Sequence, residues 1–373
     1  MSDTSSVKLT ARKPVTRRKA LKRLAGAAGA GAAMLAMPAI WRRAHGAQQI
    51  VVAHPGGPYE QSHGEGFMAP FTKETGIEVV GVARRAAPAA QVKAMVETKS
   101  YQWDAVYVGF SEGDLLGAEG LLDKIDTTGA DFAELPANMK NQFFSPTDVY
   151  ATVLGYNKDK FGSNPPRTWA DFWNVAKFPG RRSLGQRGYD TAEEAMMADG
   201  VPPGPKVYEA LAGPGGWDRM FKKLDQIRPG INVWWKQPAE SSQLIKGAEV
   251  DLIAVYNARA QVAIDAGAPF VLSWDQGLYD LGGYAIAKGC PKADLARKFI
   301  AYTANAKRQA VAAKYLAYGP SNAKAYDYLD KARAAILPTY PPNLKGMMQI
   351  DTRFWSKWKA TANDKLNEWL LKG

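Results

Sequence analysis

The sequence predicts an α/β protein with two lobes, each a mostly parallel sheet flanked by helices. Short apolar strands alternate with amphipathic helices along residues 49–120, a pattern typical of a parallel sheet covered on both faces. After about residue 157 prolines and tryptophans become frequent, and a second series of strands and helices begins. With 373 residues, 46% hydrophobic and 23% charged, the chain is long enough for two domains with separate cores.

Residues 1–46 are interpreted as an export signal rather than as part of the fold. Arg17 and Arg18 lie in a basic stretch, an Ala/Gly-rich apolar run follows, and Ala44-His45-Gly46 offers a small-residue cleavage site. This order is typical of a twin-arginine signal peptide that is cleaved, here near Gly46, after export to the periplasm. A membrane anchor is the alternative, but a run of Ala and Gly that contains Pro38 inserts weakly.

The same segment carries most of the positive charge. It holds ten Lys or Arg residues and one acid, so +9 of the net charge of +12 belongs to it and the remaining chain keeps +3. No later group of basic residues is dense enough to follow a phosphate backbone. The sequence therefore argues against nucleic-acid binding.

The first lobe begins with a βαβ unit, in which a Pro/Gly-rich turn separates an apolar strand from a helix. The predicted elements are strands at Gln49–His54, Ile77–Val82 and Asp104–Phe110, with a helix at Ala89–Lys99 before the third strand. Ligands of such sheets bind beyond the carboxyl ends of the strands. The loops 55–59 and 109–112 are therefore candidate binding loops.

The second series has the same alternation. The predicted strands are Asp148–Asn157, Ile231–Trp235, Val250–Tyr256, Phe270–Trp274 and Gly283–Ala287, and the predicted helices are Thr191–Asp199, Trp217–Ile227 and Ala239–Gly247. Thr168 with Asp171 resembles a capping box that begins a further helix. Glu193 and Glu194 are expected on a solvated helix surface. From Pro320 onward the pattern predicts helices only, with inward-facing side chains at Trp355, Trp358, Leu366 and Trp369.

Catalytic and metal-binding patterns are scarce. After the signal segment only His54 and His63 remain, without the spacing of a helical zinc pair, and the single cysteine, Cys290, has no histidine near it in sequence. The sequence has no phosphate-binding loop or dinucleotide fingerprint. It therefore predicts neither an enzyme nor a cofactor.

Aromatic residues at strand ends are the strongest binding signal. Trp and Tyr present an apolar face with a polar tip, and their faces attract amines. The set consists of Tyr59, Trp103, Trp234, Trp235, Tyr256, Trp274, Tyr279 and Tyr284, and it predicts a wet cleft. Arg259 opens a predicted helix after a strand, where it could bind a carboxylate through two parallel hydrogen bonds.

Six short stretches carry a family resemblance over nearly the whole chain after the signal segment. They are FTKETGIEV at 71–79, WDAV at 103–106, GYNKDKF at 155–161, PPRTWADFW at 165–173, GAEVD at 247–251 and YGPSN at 318–322. In this order they resemble extracellular (periplasmic) solute-binding proteins of ABC importers, and among them the spermidine/putrescine-binding group.

The resemblance implies a two-lobed periplasmic binding protein fold of type II, with the ligand in a cleft between lobes. It implies one lobe of residues 47–150 plus 276–316 and another of residues 151–275 plus 317–373. A monomer would close around a small solute by a hinge motion and deliver it to a membrane permease of an ABC transporter, without chemistry or cofactor.

The resemblance also implies a set of ligand-binding residues spread over both lobes. Carried over position by position, the set comprises Gly57, Tyr59, Ser111, Glu112, Trp235, Gln243, Tyr256, Arg259, Trp274, Asp275, Tyr279 and Asp280. The sequence departs from the polyamine-binding group at Gly282, where the acid that binds the amine is expected. Asp275 and Asp280 are the nearest acids, and Arg259 would repel a dication, so the ligand is a polyamine or an amino-acid-like zwitterion.

Two other function classes stay open from the sequence. A ferric-ion carrier of the same broad fold would need clustered tyrosines with carboxylates, for which Tyr326, Asp327 and Tyr328 are the nearest candidates. An exported enzyme with a cofactor is the second alternative, because twin-arginine export carries folded proteins.

Overall fold

The computed structural model describes residues 48–372. The predicted signal peptide and its cleavage site lie outside these described residues. Ten strands are described: β1 (Gln49–His54), β2 (Glu78–Ala83), β3 (Ala105–Gly109), β4 (Ser145–Asn157), β5 (Arg182–Gly185), β6 (Ile231–Trp235), β7 (Leu252–Tyr256), β8 (Phe270–Ala285), β9 (Gly319–Pro320) and β10 (Met348–Gln349). Within this part of the chain no helix combines the length and the apolar character needed to cross a membrane.

The helices fall before, between and after these strands. They are α1 (Pro58–His63), α2 (Ala69–Thr75), α3 (Ala89–Thr98), α4 (Phe110–Ala118), α5 (Lys158–Phe161), α6 (Trp169–Trp173), α7 (Gly188–Ala198), α8 (Pro205–Ala212), α9 (Gly216–Ile227), α10 (Pro238–Lys246), α11 (Asn257–Asp265), α12 (Ala293–Thr303), α13 (Ala306–Tyr315), α14 (Lys331–Ala335), α15 (Pro341–Leu344) and α16 (Thr352–Leu371). A π-helical segment, Gly64–Met68, joins α1 to α2.

The strands form one sheet in the order β2-β1-β3-β8-β4-β7-β5-β6, with β10 beside β8 and β9 beside β4. The outer pairs are parallel, as the alternation of strands and helices predicts: β1 with β2 and β3, and β5 with β6 and β7. The central strands β4 and β8 run antiparallel to each other and to their neighbours β7 and β3. Each end of the sheet is therefore a parallel α/β unit.

The two central strands are long and connect these ends. β4 pairs with β8 from Ser145 opposite Tyr284 to Asn157 opposite Phe270, and the register shifts between Thr152 and Leu154. The sequence predicts two separate strands where the structure has β8 alone. The intervening residues are polar or Gly-rich, but their pairing with β4 and burial of Leu278 outweigh that local composition.

Several local predictions are confirmed. β1 and β6 have the predicted bounds, and Thr168 with Asp171 forms the capping box that begins α6. Trp355 and Leu366 on α16 are buried in a core with α6, α7, α8 and α9. The prediction of helices alone after Pro320 misses β10, which pairs with Leu278 and Tyr279.

Candidate functional site

Two adjoining cavities lie between the central strands, α4 and α16. The small cavity has a volume of about 70 Å³ and the large cavity about 520 Å³. The small cavity is lined by Ser111, Tyr150, Tyr189, Asp190, Tyr256, Asp280, Ile350, Trp355 and Lys359. The large cavity is lined by Ala87, Ala89, Gly109, Ser111, Glu112, Leu115, Tyr150, Trp355, Ser356, Lys359, Ala360 and Asn363. Four residues belong to both linings, so the cavities share a wall.

A separate cavity of about 600 Å³ lies at the surface beside α2 and α13. Four of its six charged side chains form pairs: Arg308 donates to Glu74, and Lys324 donates to Glu134. Charges that are already paired at a surface offer little to a ligand. The two cavities between the lobes are therefore the stronger candidate site.

Asp280 on β8 places a buried carboxyl group at the small cavity. Its Oδ2 accepts a hydrogen bond from the Tyr150 hydroxyl at 2.9 Å, and its Oδ1 accepts from the Leu281 amide at 2.8 Å. Burial raises the pKa of Asp280 to about 7, although both hydrogen bonds and the charge of Lys359 act in the opposite direction. Asp280 can thus change its charge near neutral pH.

A second carboxylate, Asp190, enters the cavity from the start of α7, where the backbone of Tyr189 and Asp190 is not helical. Its Oδ2 accepts from the Thr152 hydroxyl at 3.0 Å, while its buried Oδ1 has no hydrogen-bond partner among the described residues. The backbone of Asp190 has φ 63° and ψ −59°, a conformation that L residues rarely adopt. Such strain costs about 1–3 kcal/mol and collects at binding sites, which is consistent with a functional position.

Arg187 is absent from both linings but contacts three residues of the small cavity's lining: Tyr189, Asp190 and Tyr256. Its guanidinium carbon is 4.1 Å from the ring centroid of Trp235 and 4.4 Å from that of Tyr256. Its Nε is 3.0 Å from Asp190 Oδ2, but the two atoms are not aligned for a hydrogen bond. Within residues 48–372 the buried Nε has no hydrogen-bond acceptor, and only 11% of the side chain is exposed.

The position of Arg187 depends on its neighbours. Trp235 is buried, and its indole nitrogen donates to the Ala254 carbonyl at 3.0 Å, which fixes the ring that lies against the guanidinium. A Cβ at Gly185 would come within 3.2 Å of Arg187 Nε, so a glycine at this position leaves room for the guanidinium. Burial alone would lower the pKa of Arg187, but Tyr256 and Asp190 raise it above its ordinary value. The group stays positively charged.

Aromatic side chains form much of the remaining wall. Tyr150 meets Tyr256 edge to face at 5.9 Å, and Lys359 Nζ lies 4.3 Å from the centroid of the Tyr189 ring. Trp355 on α16 closes the side next to Lys359. Cationic groups and aromatic faces attract each other in such settings, so the wall suits a ligand with an amine.

Glu193 and Glu194 are buried, which corrects the prediction of a solvated helix surface. Every residue from Asp190 to Ala198 is buried, because α7 is enclosed by α6, α8, α9 and α16. Glu193 accepts hydrogen bonds from the Trp355 indole and from the Tyr208 hydroxyl. Burial and the nearby Asp190 raise the pKa of Glu193 to about 8. This carboxyl group fixes Trp355 from behind the cavity.

Four of the sequence-predicted site residues line the two cavities. Ser111 lines both cavities, Glu112 lines the large one, and Tyr256 and Asp280 line the small one. Trp235 reaches the site indirectly, through its contact with Arg187.

Tyr59 belongs to a neighbouring tyrosine cluster. Its hydroxyl is 3.0 Å from that of Tyr107, which donates to Asp148 at 2.7 Å. His63 is within the same cluster, with Nδ1 2.6 Å from the Tyr284 hydroxyl. These polar groups satisfy one another inside the protein, so the structure gives the cluster a packing role.

The other predicted site residues line neither cavity. Gly57 is exposed at the start of α1, Gln243 is exposed on α10, and Trp274 packs against apolar residues. Asp275 is exposed, and its Oδ2 lies 3.8 Å from a guanidinium nitrogen of Arg167. Tyr279 is buried and faces the side of β8 opposite to Asp280, because side chains alternate along a strand. Arg259 lies near Tyr318, where its charge opposes the burial that raises the pKa of that hydroxyl to about 12.

Gly282 has a steric explanation. A Cβ at this position would lie 1.6 Å from the Tyr107 hydroxyl oxygen, so no larger side chain fits. Asp280 is two residues away and projects from the same side of β8. Asp280 therefore supplies, two residues earlier on the same face of β8, the carboxyl group that is absent at position 282.

Sequence reasoning missed Arg187, Tyr189, Asp190, Tyr150 and Lys359. β5 has four residues, RSLG, with a single large apolar side chain, so it gives almost no strand signal. Because β5 is not recognised in the sequence, residues 186–190 cannot be placed at the carboxyl end of a strand, where ligands bind. The sequence did contain one indication of this site: in the run GQRGYD at 185–190, an arginine and an aspartate are separated by two residues, shortly after the apolar Leu184.

The ferric-ion alternative finds no matching site in the described part of the chain. Tyr326 bonds to the Thr339 hydroxyl at 2.8 Å, whereas Tyr328 is 53% exposed. Over residues 48–372 no three His, Cys, Asp or Glu side chains come together in a way that could hold a metal ion.

Comparison with known proteins agrees with the fold. Residues 66–339 match a family described as bacterial extracellular solute-binding protein. The chain is 34% identical to the gamma-aminobutyric acid-binding protein of Pseudomonas aeruginosa, over 87% of this chain and 92% of that protein. It is 25% identical to the spermidine/putrescine-binding periplasmic protein of Escherichia coli, over 74% and 79%. A solved structure, the Atu4243-GABA receptor, superposes with a TM-score of 0.76 at 30% identity, over 86% and 97%.

Proposed function

Because the chain belongs to the family of bacterial extracellular solute-binding proteins, we propose that its cleft binds an ω-amino acid, with 4-aminobutanoate as the reference ligand. The protein is a periplasmic substrate-binding component of an ABC transporter and not an enzyme. The observation that carries the ligand class is the unsatisfied guanidinium Nε of Arg187 beside a cavity that holds Asp280.

The carboxylate of the solute is assigned to the Arg187 side of the small cavity. A partly buried guanidinium whose Nε lacks an acceptor gains most from a carboxylate, which it can bind through two parallel hydrogen bonds. Asp190 only partly compensates the charge of Arg187, because the two side chains form an ion pair without an aligned hydrogen bond. Lys359 adds a second positive charge to the lining.

The ammonium group of the solute is assigned to Asp280. Its carboxyl group is buried, faces the small cavity and is held by Tyr150. The aromatic faces of Tyr150 and Tyr256 shield the pair from water and add cation–π attraction. A solute with opposite charges at its two ends therefore fits the distribution of charge in the cleft.

A polyamine is the second candidate, favoured by the two carboxyl groups, Asp190 and Asp280, in the small cavity. Arg187 and Lys359 weigh against it, because they would repel the second ammonium group of a diamine. Thermal-shift measurements on the mature protein can separate the two candidates. We expect 4-aminobutanoate at 100 times its dissociation constant to stabilise by about 2.7 kcal/mol, and putrescine and spermidine to give no shift at the same concentration. The reverse order would favour the polyamine.

Affinity should depend on pH through Asp280. Its pKa of about 7 in the free protein means that the carboxyl group must lose its proton to pair with an ammonium group. We expect 4-aminobutanoate to bind about tenfold more weakly at pH 6 than at pH 8, since the ionised fraction falls by that factor. Isothermal titration calorimetry at both pH values measures it.

The interval from pH 6 to 8 limits interference from other groups. Arg187 and the Tyr150 hydroxyl keep their charge states there, because the pKa of each is raised above its ordinary value. The Glu193 carboxyl, with a pKa of about 8, lies behind Trp355. Equal affinity at pH 6 and pH 8 would contradict the assignment of the amine to Asp280.

We also propose export by the twin-arginine pathway, with cleavage near Gly46, on the sequence of residues 1–46. Replacing both Arg17 and Arg18 with lysine should leave the uncleaved precursor in the cytoplasm, because the pathway reads the arginine pair. Cell fractionation and immunoblotting measure this, with Arg42→Lys/Arg43→Lys as the charge-matched control. Normal processing of the first variant would point to another export route.

Delivery to the permease is proposed to need closure of a monomer. The lobes of residues 47–150 plus 276–316 and of residues 151–275 plus 317–373 would rotate about the register shift in β4 near Thr152. The radius of gyration in small-angle X-ray scattering should fall when 4-aminobutanoate is added. An unchanged value at saturating ligand would count against hinge closure.

A further inference from the structure

The large cavity offers space that an ω-amino acid of four carbons does not need. Its volume of about 520 Å³ compares with about 70 Å³ for the small cavity. A solute extended between Arg187 and Asp280 would occupy the small cavity and leave the large one to water. The lining of the large cavity therefore bears on which solute the protein prefers.

Apolar side chains supply much of that lining from two directions. Ala87 and Ala89 contribute from just before and at the start of α3, Leu115 contributes from α4, and Ala360 contributes from α16. Leu115 is 40% exposed, so part of its apolar side chain is available for contact with a ligand. An uncharged group with apolar character would bury this surface.

The polar groups of the large cavity do not call for a charged substituent. Glu112 is half-buried, its Oε1 accepts from the Ala89 amide at 3.2 Å, and burial raises the pKa of its carboxyl group. Lys359 stands at the wall shared with the small cavity, where it already contributes to the charge around Asp280. The rest of the lining is neutral.

The shared wall indicates which end of the solute faces the large cavity. Tyr150 lines both cavities, and its hydroxyl donates to Asp280, the position assigned to the amine. Tyr189, Asp190 and Tyr256, which surround Arg187, line only the small cavity. The amine end is therefore next to the large cavity, and the carboxylate end is remote from it.

We propose that the preferred solute is an N-substituted ω-amino acid, whose uncharged, mainly apolar substituent occupies the large cavity. A secondary amine keeps its positive charge near neutral pH, so it pairs with Asp280 as a primary amine would. This inference rests on the proposed function, because it assumes that the small cavity holds the amino-acid part.

The test compares 4-(benzylamino)butanoate with 4-aminobutanoate by isothermal titration calorimetry on the full mature protein. We expect the benzyl compound to bind about tenfold more tightly, because it buries apolar surface in the large cavity. Ala360→Leu should reduce its affinity about tenfold by filling that space, with less than a twofold change for 4-aminobutanoate. Thr361→Leu is the matched control, since it adds similar bulk to α16 outside both linings.

A second variant tests whether the effect of Ala360→Leu comes from filling the large cavity rather than from a change in α16 itself. Ala87→Leu fills the large cavity from the opposite side and should show the same selectivity for the benzyl compound. The inference fails if 4-aminobutanoate binds and the benzyl compound does not, or if neither filling variant discriminates between them. If neither compound binds to the wild-type protein, the proposed function fails as well, so the two failures are distinguishable.

Discussion

Replacing Arg187 with methionine weakens binding of 4-aminobutanoate by about 100-fold in the proposed arrangement. Methionine keeps apolar contact with Trp235 and Tyr256 but removes the only donor group assigned to the solute carboxylate on that side. It also leaves Asp190 without its nearby positive charge, so the pocket becomes more repulsive to a carboxylate. Isothermal titration calorimetry gives the change in affinity.

Arg259→Met is the matched control for this loss. The sequence suggested Arg259 as the carboxylate-binding group, but the structure places it near Tyr318 and outside both cavities. Its substitution should change affinity less than threefold, at the scale of a distant surface charge. Thermal unfolding without ligand checks that both variants fold. A large loss in Arg259→Met, together with wild-type affinity in Arg187→Met, would reverse the assignment.

Replacing Asp280 with asparagine should also weaken 4-aminobutanoate binding by about 100-fold, because it removes the negative charge opposite the ammonium group. Asparagine has nearly the same shape: its Oδ1 can still accept from the Leu281 amide, while its Nδ2 donates to the Tyr150 hydroxyl oxygen. The variant should therefore lose affinity without unfolding. Its remaining affinity should no longer vary between pH 6 and pH 8.

Asp275→Asn is the corresponding control on the same strand. Asp275 is exposed and lies 3.8 Å from Arg167, so its charge is remote from the cleft lining. Both the affinity and its pH dependence should stay close to the wild-type values. If Asp280→Asn kept the pH dependence, another titrating group would have to supply it, and the role given to Asp280 would be wrong.

The fold was largely accessible to sequence reasoning because most of its strands and helices have clear boundaries in the sequence. β1 is an apolar run followed by a Pro/Gly-rich turn, and β6 ends in two tryptophans, so both have strong local signals. β8 was divided in two because its middle is polar and Gly-rich, and only its pairing with β4 holds that segment extended. Pairing between distant segments leaves little trace in a single sequence.

The site was only partly accessible for related reasons. The loop after β3 gave Ser111 and Glu112, because the carboxyl end of an apolar strand can be located by pattern. Arg187 follows β5, whose four residues carry too little apolar character to be recognised. If the register of β8 had been known, the alternation of side chains would have shown that Asp280 and Tyr279 face opposite sides of the sheet, so that only one of them can line the cavity.

Burial was the other property that the sequence could not supply. Glu193 and Glu194 look like part of a charged helix face, yet α7 is covered by helices on all sides. The alanines and methionines around them in TAEEAMMA gave the available hint, because they leave the helix without a clearly polar stripe.

The central claim is that the cleft recognises opposite charges at the two ends of one solute. Calorimetric titration at pH 8 with 4-aminobutanoate, butanoate, butylamine and putrescine tests it directly, since the four compounds differ mainly in their terminal charges. The account predicts that 4-aminobutanoate binds at least about 100-fold more tightly than each of the other three. Putrescine binding as tightly as 4-aminobutanoate, or more tightly, would contradict it.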